Sequence, residues 1–476
     1  LDGRPETYED NAMHFKYGSI GADSLRRGIP YRIWQVLPEM SETYLPAGKP
    51  ATYEAFGLIV DPKDSVDRPI GFSKRWHLGM GNMIGLNCAF CHASTIRSSI
   101  EAPRRVILGM PANTVDPEAF FRFLFAVADD ESFTDAVLER INAKEPLGYW
   151  ETFIHRYVLI PTFREGIKKM KHQFGFFDRS PTRFGPGRVD TWAYYKVAKL
   201  QDRFWLLEKL PDFGPPYIYM DAGSLTGIAD FPALWREKAE GGALHWDGNN
   251  TNPLERNITA AMGAGVTPAT LDLEAVKRIA DWFGSTTYSP ESYHEVKGAA
   301  QPGPPARDDR GLVLFVKHCG QCHGDNGSRV TEIVDISEIQ TDRGRLDAFT
   351  EPLSRKLNEV RHLAVWKLDH YRKTSGYANL LLTGIWLRAP YLHNGSVPTL
   401  WHLLQDPGKR PETFCRGNDL YDWTNVGFEW DSGKDDCRGS FKYDTRLPGN
   451  SNAGHTFGTE LSPEDKRHLL EYLKTL

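Results

Sequence analysis

Two five-residue segments, far apart in the chain, share the pattern Cys-x-x-Cys-His. The first reads CAFCH at 88–92 and the second reads CGQCH at 319–323. This spacing marks the attachment site of a c-type haem, in which both thiols bond to the porphyrin and the adjacent imidazole ligates the iron. Zinc would need the two cysteine pairs to act together, and they are separated far more widely than zinc sites allow. We therefore predict two covalent haem c groups, held by Cys88, Cys91 and His92 and by Cys319, Cys322 and His323.

The composition limits the class of protein and the kinds of partner that the chain can have. Its 476 residues suffice for two or three domains, and 40% hydrophobic with 25% charged residues is typical of globular proteins. A net charge of −5 offers no basic surface for nucleic acid. No run of about 18 apolar residues predicts a transmembrane segment. The 13 tryptophans suit a protein that encloses flat cofactors, although a tryptophan-rich core gives the same count.

The cysteines also indicate the compartment. Haem attachment of this type is completed outside the bacterial cytoplasm, so the motifs imply a periplasmic or secreted protein, and the start at Leu1 resembles a processed end. Four of the six cysteines belong to the motifs. The remaining pair, Cys415 and Cys437, is most simply a disulfide in an oxidising compartment. Two free buried thiols are the alternative.

The pattern of helices and loops predicts a mainly α fold with two cytochrome c-like domains, long irregular loops and insertions, and little β structure. A helix from Asp309 leads into the second motif, and a closing helix follows Ser462. Two such helices cross in a cytochrome c domain. The Pro- and Gly-rich segment 301–305 is the best linker. We place an N-terminal active-site haem domain with large insertions at 1–297 and a C-terminal electron-transfer cytochrome c domain at 298–476.

The N-terminal half contains further patterns. Apolar residues at helical spacing predict helices within 115–143 and over about 150–171. Gly79, Gly81 and Gly85 precede the first motif, and we expect them to let the backbone approach a flat ligand. The small-residue run 260–265 predicts a similar close approach to a cofactor or substrate, or else a tight helix crossing.

The second axial position of each iron decides the chemistry. A protein ligand there leaves an electron carrier, whereas an open position admits O₂ or peroxide. His455 lies between glycines in a loop just before the last helix, and it is the preferred sixth ligand of the second haem. His393 is the main rival, and a solvated loop histidine is the alternative interpretation of His455. No residue stands out as a ligand of the first haem, which favours an open site.

Several segments carry a family resemblance. The two haem motifs, the stretch RAPYLHNGSVPTL at 388–400 and HWDG at 245–248 resemble the bacterial di-haem cytochrome c peroxidase and MauG superfamily. The chain is most similar to the branch of rubber oxygenases and periplasmic di-haem fatty-acid dioxygenases. The supporting segments, which span most of the chain, are 17–21, 28–31, 245–250, 255–257 and 454–458.

The resemblance implies roles for individual residues. It implies an O₂-binding first haem with proximal His92, and a six-coordinate second haem held by His323 and His455. It also implies that Trp246 lies between the haems and relays electrons or packs against them, and a buried core tryptophan is the alternative. Calcium between the domains is a further expectation, although no ligand loop is evident in the sequence.

One departure from the peroxidases concerns the acid that assists O–O cleavage. Their tryptophan is followed by a Gln and then by a loop that carries a catalytic Glu. Here Arg256 stands ten residues after Trp246, and Val266 stands twenty after. An Asn-Pro-Leu-Glu stretch ends at Glu255, which makes Glu255 a candidate catalytic acid in a shifted position.

Three functions agree with these features. The preferred one is a dioxygenase that acts on an apolar unsaturated substrate, either polyisoprene or an unsaturated fatty acid, at the first haem. The second is a hydrogen peroxide reductase that receives electrons from a small electron-transfer protein through the second haem. The third is a non-enzymatic two-haem electron carrier, which requires both irons to be six-coordinate.

Overall fold

The computed structural model describes residues 3–25, 27–40, 50–196, 225–236, 242–285, 290, 292–297, 309–362, 365–431, 437 and 440–476. It is mainly helical, as the sequence predicts. Helices in the first half span Asn11–Tyr17, Tyr31–Val36, Ala89–His92, Pro117–Asp129, Phe133–Lys144, Tyr149–Ile154, Ile160–Gln173, Thr191–Tyr194, Pro253–Gly263, Leu273–Gly284 and Tyr293–Lys297. Those in the second half span Asp309–His318, Gly320–His323, Ile336–Ile339, Gly344–Ala348, Glu351–Asn358, Leu400–Leu403 and Pro463–Leu473.

The strands form small antiparallel sheets. The largest has four strands in the order Arg4–Pro5, Phe72–His77, Gly81–Leu86 and Ile29–Pro30. The two-stranded sheets pair Ala93–Ile96 with Arg105–Leu108, Arg188–Val189 with Ala229–Asp230, Ile333–Asp335 with Gly376–Ala378, Arg361–His362 with Trp366–Lys367, Thr413–Arg416 with Phe441–Asp444, and Tyr421–Asp422 with Gly427–Phe428.

The hairpin formed by Phe72–His77 and Gly81–Leu86 leads directly into the first Cys-x-x-Cys-His motif. Gly79 and Gly81 stand at its turn, with φ of 74° and 79°, in the left-handed region that glycine adopts without strain. A Cβ at either position would have nothing within 4 Å. These two glycines therefore serve the hairpin turn. At Gly85 a Cβ would lie 2.2 Å from the backbone nitrogen of Asp23, so the close approach that this glycine permits is to protein backbone and not, as expected, to a flat ligand.

The helices predicted within 115–143 and over about 150–171 are confirmed. Asp116 begins the first of them by accepting a hydrogen bond from the backbone N–H of Ala119 at 2.9 Å. The second is longer than predicted, because Tyr149–Ile154 and Ile160–Gln173 are joined by a π-helical segment into one continuous helix. This helix packs against Pro117–Asp129.

In the second half, the helix Asp309–His318 crosses the closing helix Pro463–Leu473, as the sequence predicts. A Cβ on Gly311 would lie 2.2 Å from the carbonyl oxygen of His468, so glycine is what permits the close crossing. The rings of Phe315 and Tyr472 pack beside it with centroids 5.1 Å apart. This crossing fixes the direction in which the chain enters the second motif.

The two halves of the chain share one apolar core, in which Tyr293 packs edge-on against Trp386. The predicted boundary at 297/298 and the linker 301–305 lie at or beyond the edge of the described residues, so this division stays a prediction. Cys415 and Cys437 form a disulfide, which confirms their pairing. In the described part of the chain, no helix combines the length and apolar character needed to cross a bilayer.

Candidate haem sites

The first motif is held in place from both sides. The side-chain oxygen of Asn87 accepts a hydrogen bond from the N–H of Ala89 at 3.0 Å, where the one-turn helix Ala89–His92 begins. The amide of Asn87 donates to the carbonyl of Gly18 at 3.0 Å. Asn87 thus ties the motif to the N-terminal helix, and the hairpin supplies the other support.

The imidazole of His92 has the orientation expected of a metal ligand. Its Nδ1 lies 2.8 Å from the carbonyl oxygen of Pro232 and must donate to it, which leaves Nε2 as the acceptor. This second hydrogen bond is how proteins fix the tautomer of a ligating histidine. Burial lowers the pKa of His92 to about 3, and the positive charge of Arg256 acts in the same direction. The ring is therefore neutral at physiological pH.

His92, Cys88 and Cys91 line a large cavity. The cavity opens to solvent, and the space free of protein atoms amounts to about 1740 Å³ when that open solvent is included. Most of the wall is aromatic or aliphatic and includes Ile20, Phe90, Phe121, Phe174, Phe176, Tyr194, Phe231, Ile279 and Phe283.

One wall of the cavity is the helix Pro253–Gly263. The side that it turns to the cavity carries small residues, namely Ala260, Ala261, Gly263 and Ala264. The small-residue run therefore borders the cavity, in agreement with the expectation of a close approach to a cofactor or substrate. A fully packed helix crossing would leave no such space.

The cavity contains few charged groups. Arg256 and Arg345 line it, and burial lowers the pKa of Arg256 to about 10, so it stays cationic at neutral pH. Asp230 is the one carboxylate among the described lining residues. It accepts an ion-paired hydrogen bond from Arg416 at 3.0 Å. The described lining residues therefore present cationic and apolar surface, and the one carboxylate among them is already paired.

His245 and a trio of aromatic residues also line the cavity, and sequence reasoning did not identify them as site residues. His245 is only 9% exposed, and its Nδ1 has no hydrogen-bond partner among the described residues. Such an orphaned polar atom fits a cavity that receives a polar or metal-containing group. The rings of Phe121, Phe174 and Tyr194 lie in a row with neighbouring centroids 4.9 and 5.0 Å apart. Their sequence separation gave no signal of this contact.

The second motif has different surroundings. His323 Nδ1 lies 2.7 Å from the carbonyl oxygen of Leu380 and donates to it, just as His92 donates to Pro232. Burial lowers the pKa of His323. The ring of His455 faces it, with centroids 6.4 Å apart and planes inclined by 34°. Burial, together with the charge that His323 can carry, lowers the pKa of His455 to about 4.

This separation fits two axial ligands of one iron. Metal–imidazole bonds of about 2.0–2.1 Å place the centroids of two opposed rings about 6 Å apart. The loop is fixed by Gly454, at which a Cβ would lie 2.4 Å from the backbone of Gln340, and by a hydrogen bond from Arg410 to the carbonyl of Gly454 at 2.9 Å. Cys319, Cys322, His323 and His455 are thus arranged as a bis-histidine haem c site requires.

His393, the rival ligand, has another position. Its ring stacks on Tyr377 with centroids 4.2 Å apart. The Tyr377 hydroxyl donates to the carbonyl of Asp342 at 2.7 Å, so it accepts from Nε2 of His393 at 3.1 Å. The structure therefore brings His455, and not His393, to His323.

Trp246 lines the first cavity and is connected by hydrogen bonds to His92. Its Nε1–H donates to the carbonyl of Asp230 at 2.9 Å. Asp230 lies two residues before Pro232, whose carbonyl accepts from His92. A short stretch of backbone thus joins the indole to the imidazole of the first motif.

On its other side Trp246 is connected to the second motif. Its carbonyl accepts from the N–H of Ala378 at 2.8 Å. Ala378 lies two residues before Leu380, whose carbonyl accepts from His323. The two motif histidines are therefore joined through Trp246 by hydrogen bonds and two short backbone segments. This arrangement agrees with a position of Trp246 between two haems.

Glu255 does not line the cavity. Its carboxylate accepts from the N–H groups of Asp369 and His370 at 3.2 and 3.1 Å, and it lies 2.6 Å from Nδ1 of His370. Glu255 thus holds the 369–370 backbone in place, and its catalytic role stays a prediction without structural support. These three side chains could together surround a cation. They offer only two carboxylates, however, whereas calcium takes six to eight oxygens, so calcium also stays a prediction.

Comparison with known proteins agrees with this geometry. Residues 376–415 match the family of RoxA-like, cytochrome c-like domains. The uncharacterized protein y4iJ of Sinorhizobium fredii (strain NBRC 101917 / NGR234) is 48% identical over 104 residues, which are 20% of this chain and 17% of that protein. The uncharacterized protein y4iM of the same organism is 29% identical over 293 residues, which are 52% of this chain and 64% of that protein. The chain thus spans less than two thirds of either relative.

The family match covers residues 376–415 and supports a likeness of this segment to the di-haem cytochrome c and rubber oxygenase-like superfamily. A cytochrome c-like domain implies covalently bound haem c. The segment that matches includes Leu380, His393 and Cys415, and therefore contains the carbonyl that orients His323.

Proposed function

We propose that the chain is an exported di-haem c-type dioxygenase that acts on an apolar unsaturated substrate at its first haem site. One observation carries the proposal, namely the difference between the two motif histidines. His323 faces a second imidazole at ligand distance, whereas His92 lines a cavity whose wall is mostly aromatic or aliphatic. An apolar cavity beside the first motif suits O₂ and an apolar substrate, and a second imidazole beside the other motif suits electron transfer.

Cys88, Cys91 and His92 would hold a haem, which would supply the binding and activation of O₂. The residues of the chain position the substrate and exclude water. Aromatic side chains such as Phe121 and Phe174 provide apolar contact surface for a hydrocarbon chain. The small side chains that the helix Pro253–Gly263 turns to the cavity leave space for the substrate. Arg256 supplies positive charge in the same cavity, where low polarity strengthens its effect on a developing anion.

The composition of the cavity distinguishes this proposal from peroxide reduction. Heterolytic cleavage of peroxide benefits from an acid–base group close to the bound oxygen atoms. Asp230 is the one carboxylate among the described lining residues, and it is paired with Arg416. Glu255 is engaged with Asp369 and His370, away from the cavity. The carboxylates of the described residues therefore favour the oxygenase, and the imidazole of His245 is the cavity-lining acid–base group that a peroxidase would have to use.

The test uses the haem-loaded full chain. We expect O₂ consumption with polyisoprene or an unsaturated fatty acid, and none with the saturated fatty acid of equal length. The absorption spectrum should contain one high-spin and one low-spin haem. Peroxide turnover with a reduced small cytochrome, without O₂ consumption, would instead identify the peroxidase.

A simple electron carrier gives a different result, because both of its irons are six-coordinate. Apart from His92 itself, His245 is the one imidazole among the described lining residues, and it could serve as a second protein ligand of the first iron. A His245→Phe variant tests this directly. If the wild type is fully low-spin and His245→Phe produces a high-spin component, the open first site, and with it the proposed reaction, is refuted.

A further inference from the structure

The long helix from Tyr149 to Gln173 exposes an aromatic face to solvent. Tyr149, Trp150, Phe153 and Tyr157 are 80%, 72%, 46% and 63% exposed. Their spacing places them on one side of the helix, where consecutive rings lie 5.5, 6.2 and 5.0 Å apart. The opposite side, with His155 and Leu159, is buried.

Such a face is unusual on a water-exposed helix. Contiguous exposed apolar patches mark interaction surfaces, whereas single exposed apolar residues need no explanation. Tyrosine and tryptophan are specifically enriched where an apolar phase meets water, because their rings have an apolar body and a polar edge. The tip of the 72–86 hairpin lies across a second cavity from this helix and exposes Trp76 and Leu78. It adds apolar surface in the same part of the molecule.

The charges of the helix indicate the partner. Residues 149–173 contain five Lys or Arg and two Glu, in a chain whose net charge is −5. Lys168, Lys169 and Lys171 are exposed, whereas Phe163 and Ile167 are buried on the inner side of the same segment. Lys171 is paired with Asp129. The outer surface therefore changes along the helix from aromatic to basic.

We propose that this helix binds the surface of an anionic lipid bilayer. The aromatic rings enter the boundary between headgroups and acyl chains, and the lysines contact lipid phosphates, as in other interfacial amphipathic helices. The helix is about 37 Å long at 1.5 Å per residue. Its basic end leads into Phe174 and Phe176, which line the first cavity. Binding along the helix thus brings that cavity to a surface from which apolar substrates are available.

The experiment is co-sedimentation of the haem-loaded full chain with lipid vesicles. We expect binding to vesicles of phosphatidylcholine mixed with phosphatidylglycerol, weakening as salt is raised, and little binding to phosphatidylcholine alone. The double variant Trp150→Ala with Tyr157→Ala should bind at least about tenfold more weakly. Lys168→Glu with Lys169→Glu should lose the preference for anionic lipid.

Two control variants change similar residues elsewhere on the surface. Ile100→Ser removes another exposed apolar side chain, and Lys442→Glu reverses another exposed lysine, so both should bind as the wild type does. Haem absorbance and circular dichroism establish that each variant is folded. Absent binding, equal binding to both vesicles, or unchanged binding of the aromatic variant overturns the proposal. So does adsorption to polyisoprene particles without adsorption to anionic vesicles.

This inference does not depend on the proposed reaction. O₂ consumption with a soluble short-chain substrate is measured on the same samples, away from any lipid surface. Normal consumption without vesicle binding refutes the surface proposal alone. Vesicle binding without consumption of O₂ refutes the dioxygenase alone.

Discussion

The imidazole rings of His323 and His455 face each other with centroids 6.4 Å apart, at the separation of two ligands on one iron. His92 has the same hydrogen bond to a backbone carbonyl as His323, yet it lines an open cavity. The two motif histidines therefore share the hydrogen bond that orients the ring, and they differ in what lies beside the ring. Substitutions at one site at a time can measure this difference, because each changes the spectrum of one haem.

Replacing His455 by Ala removes the ring that faces His323. In the haem-loaded protein we expect a second high-spin component in the electron paramagnetic resonance spectrum, because the second iron loses its sixth ligand, with unchanged haem content. His393→Phe is the matched control, since His393 stacks on Tyr377, and its spectrum should equal that of the wild type. A low-spin second haem in His455→Ala would contradict the assignment.

Trp246→Phe keeps an aromatic ring but removes the hydrogen bond to the carbonyl of Asp230. We expect the first haem to receive electrons from the second about tenfold more slowly, which corresponds to about 1.4 kcal/mol in the barrier. Stopped-flow reduction at two wavelengths measures the rate. Trp34→Phe, in a core cluster where Trp34 stacks on Tyr53, should leave it unchanged. Equal rates in Trp246→Phe and the wild type would assign Trp246 to packing alone.

Ala260→Phe places a large ring on the cavity side of the helix Pro253–Gly263. We expect kcat/KM for a long unsaturated substrate to fall by about tenfold to a hundredfold, because the ring occupies space the substrate needs. The haem absorption spectrum should persist. Ala269→Phe is the control, since Ala269 is exposed and is not among the residues that line the cavity. Equal losses in both variants would show a general effect on folding.

His370 makes stability depend on pH. Its hydrogen bond to Glu255 raises the pKa of His370 above its usual value of 6.5, with further help from the charges of Glu255 and Asp369. A raised folded-state pKa stabilises the protein fully below about pH 6.5, and this contribution is lost as pH rises through the folded-state value. Thermal unfolding across this range should show a decline that His370→Asn removes. An identical pH profile in the variant would mean that the hydrogen bond between His370 and Glu255 contributes nothing to the pH dependence of stability.

The sequence predicted the features that depend on local pattern. The spacing within each Cys-x-x-Cys-His motif and the glycines around His455 belong to short segments, so they could be interpreted without knowledge of the fold. The crossing of two helices at Gly311 could also be predicted, because the sequence shows a helix before the second motif and a closing helix. Two such helices cross in a cytochrome c domain. The small residues at 260–264 could likewise be recognised from composition.

Other features depend on long-range packing. Glu255 and Arg256 are adjacent on one helix and project about 100° apart, so only the position of the helix decides which of them reaches the cavity. Sequence reasoning considered Glu255, and the structure places Arg256 there. Gly79 and Gly81 precede the first motif closely in sequence, yet the hairpin carries them away from the cavity. His245 belongs to the HWDG segment that carries the family resemblance, but the sequence did not indicate that its side chain lines the cavity.

The hydrogen-bonded connection through Trp246 has a consequence for redox behaviour. In a protein that carries a haem at each motif, a change of charge at one iron would alter how strongly its imidazole donates to the carbonyl of Pro232 or Leu380, and polarised peptide groups pass such changes on to their neighbours. We therefore expect reduction of one haem to shift the midpoint potential of the other, so that a redox titration shows two interdependent steps.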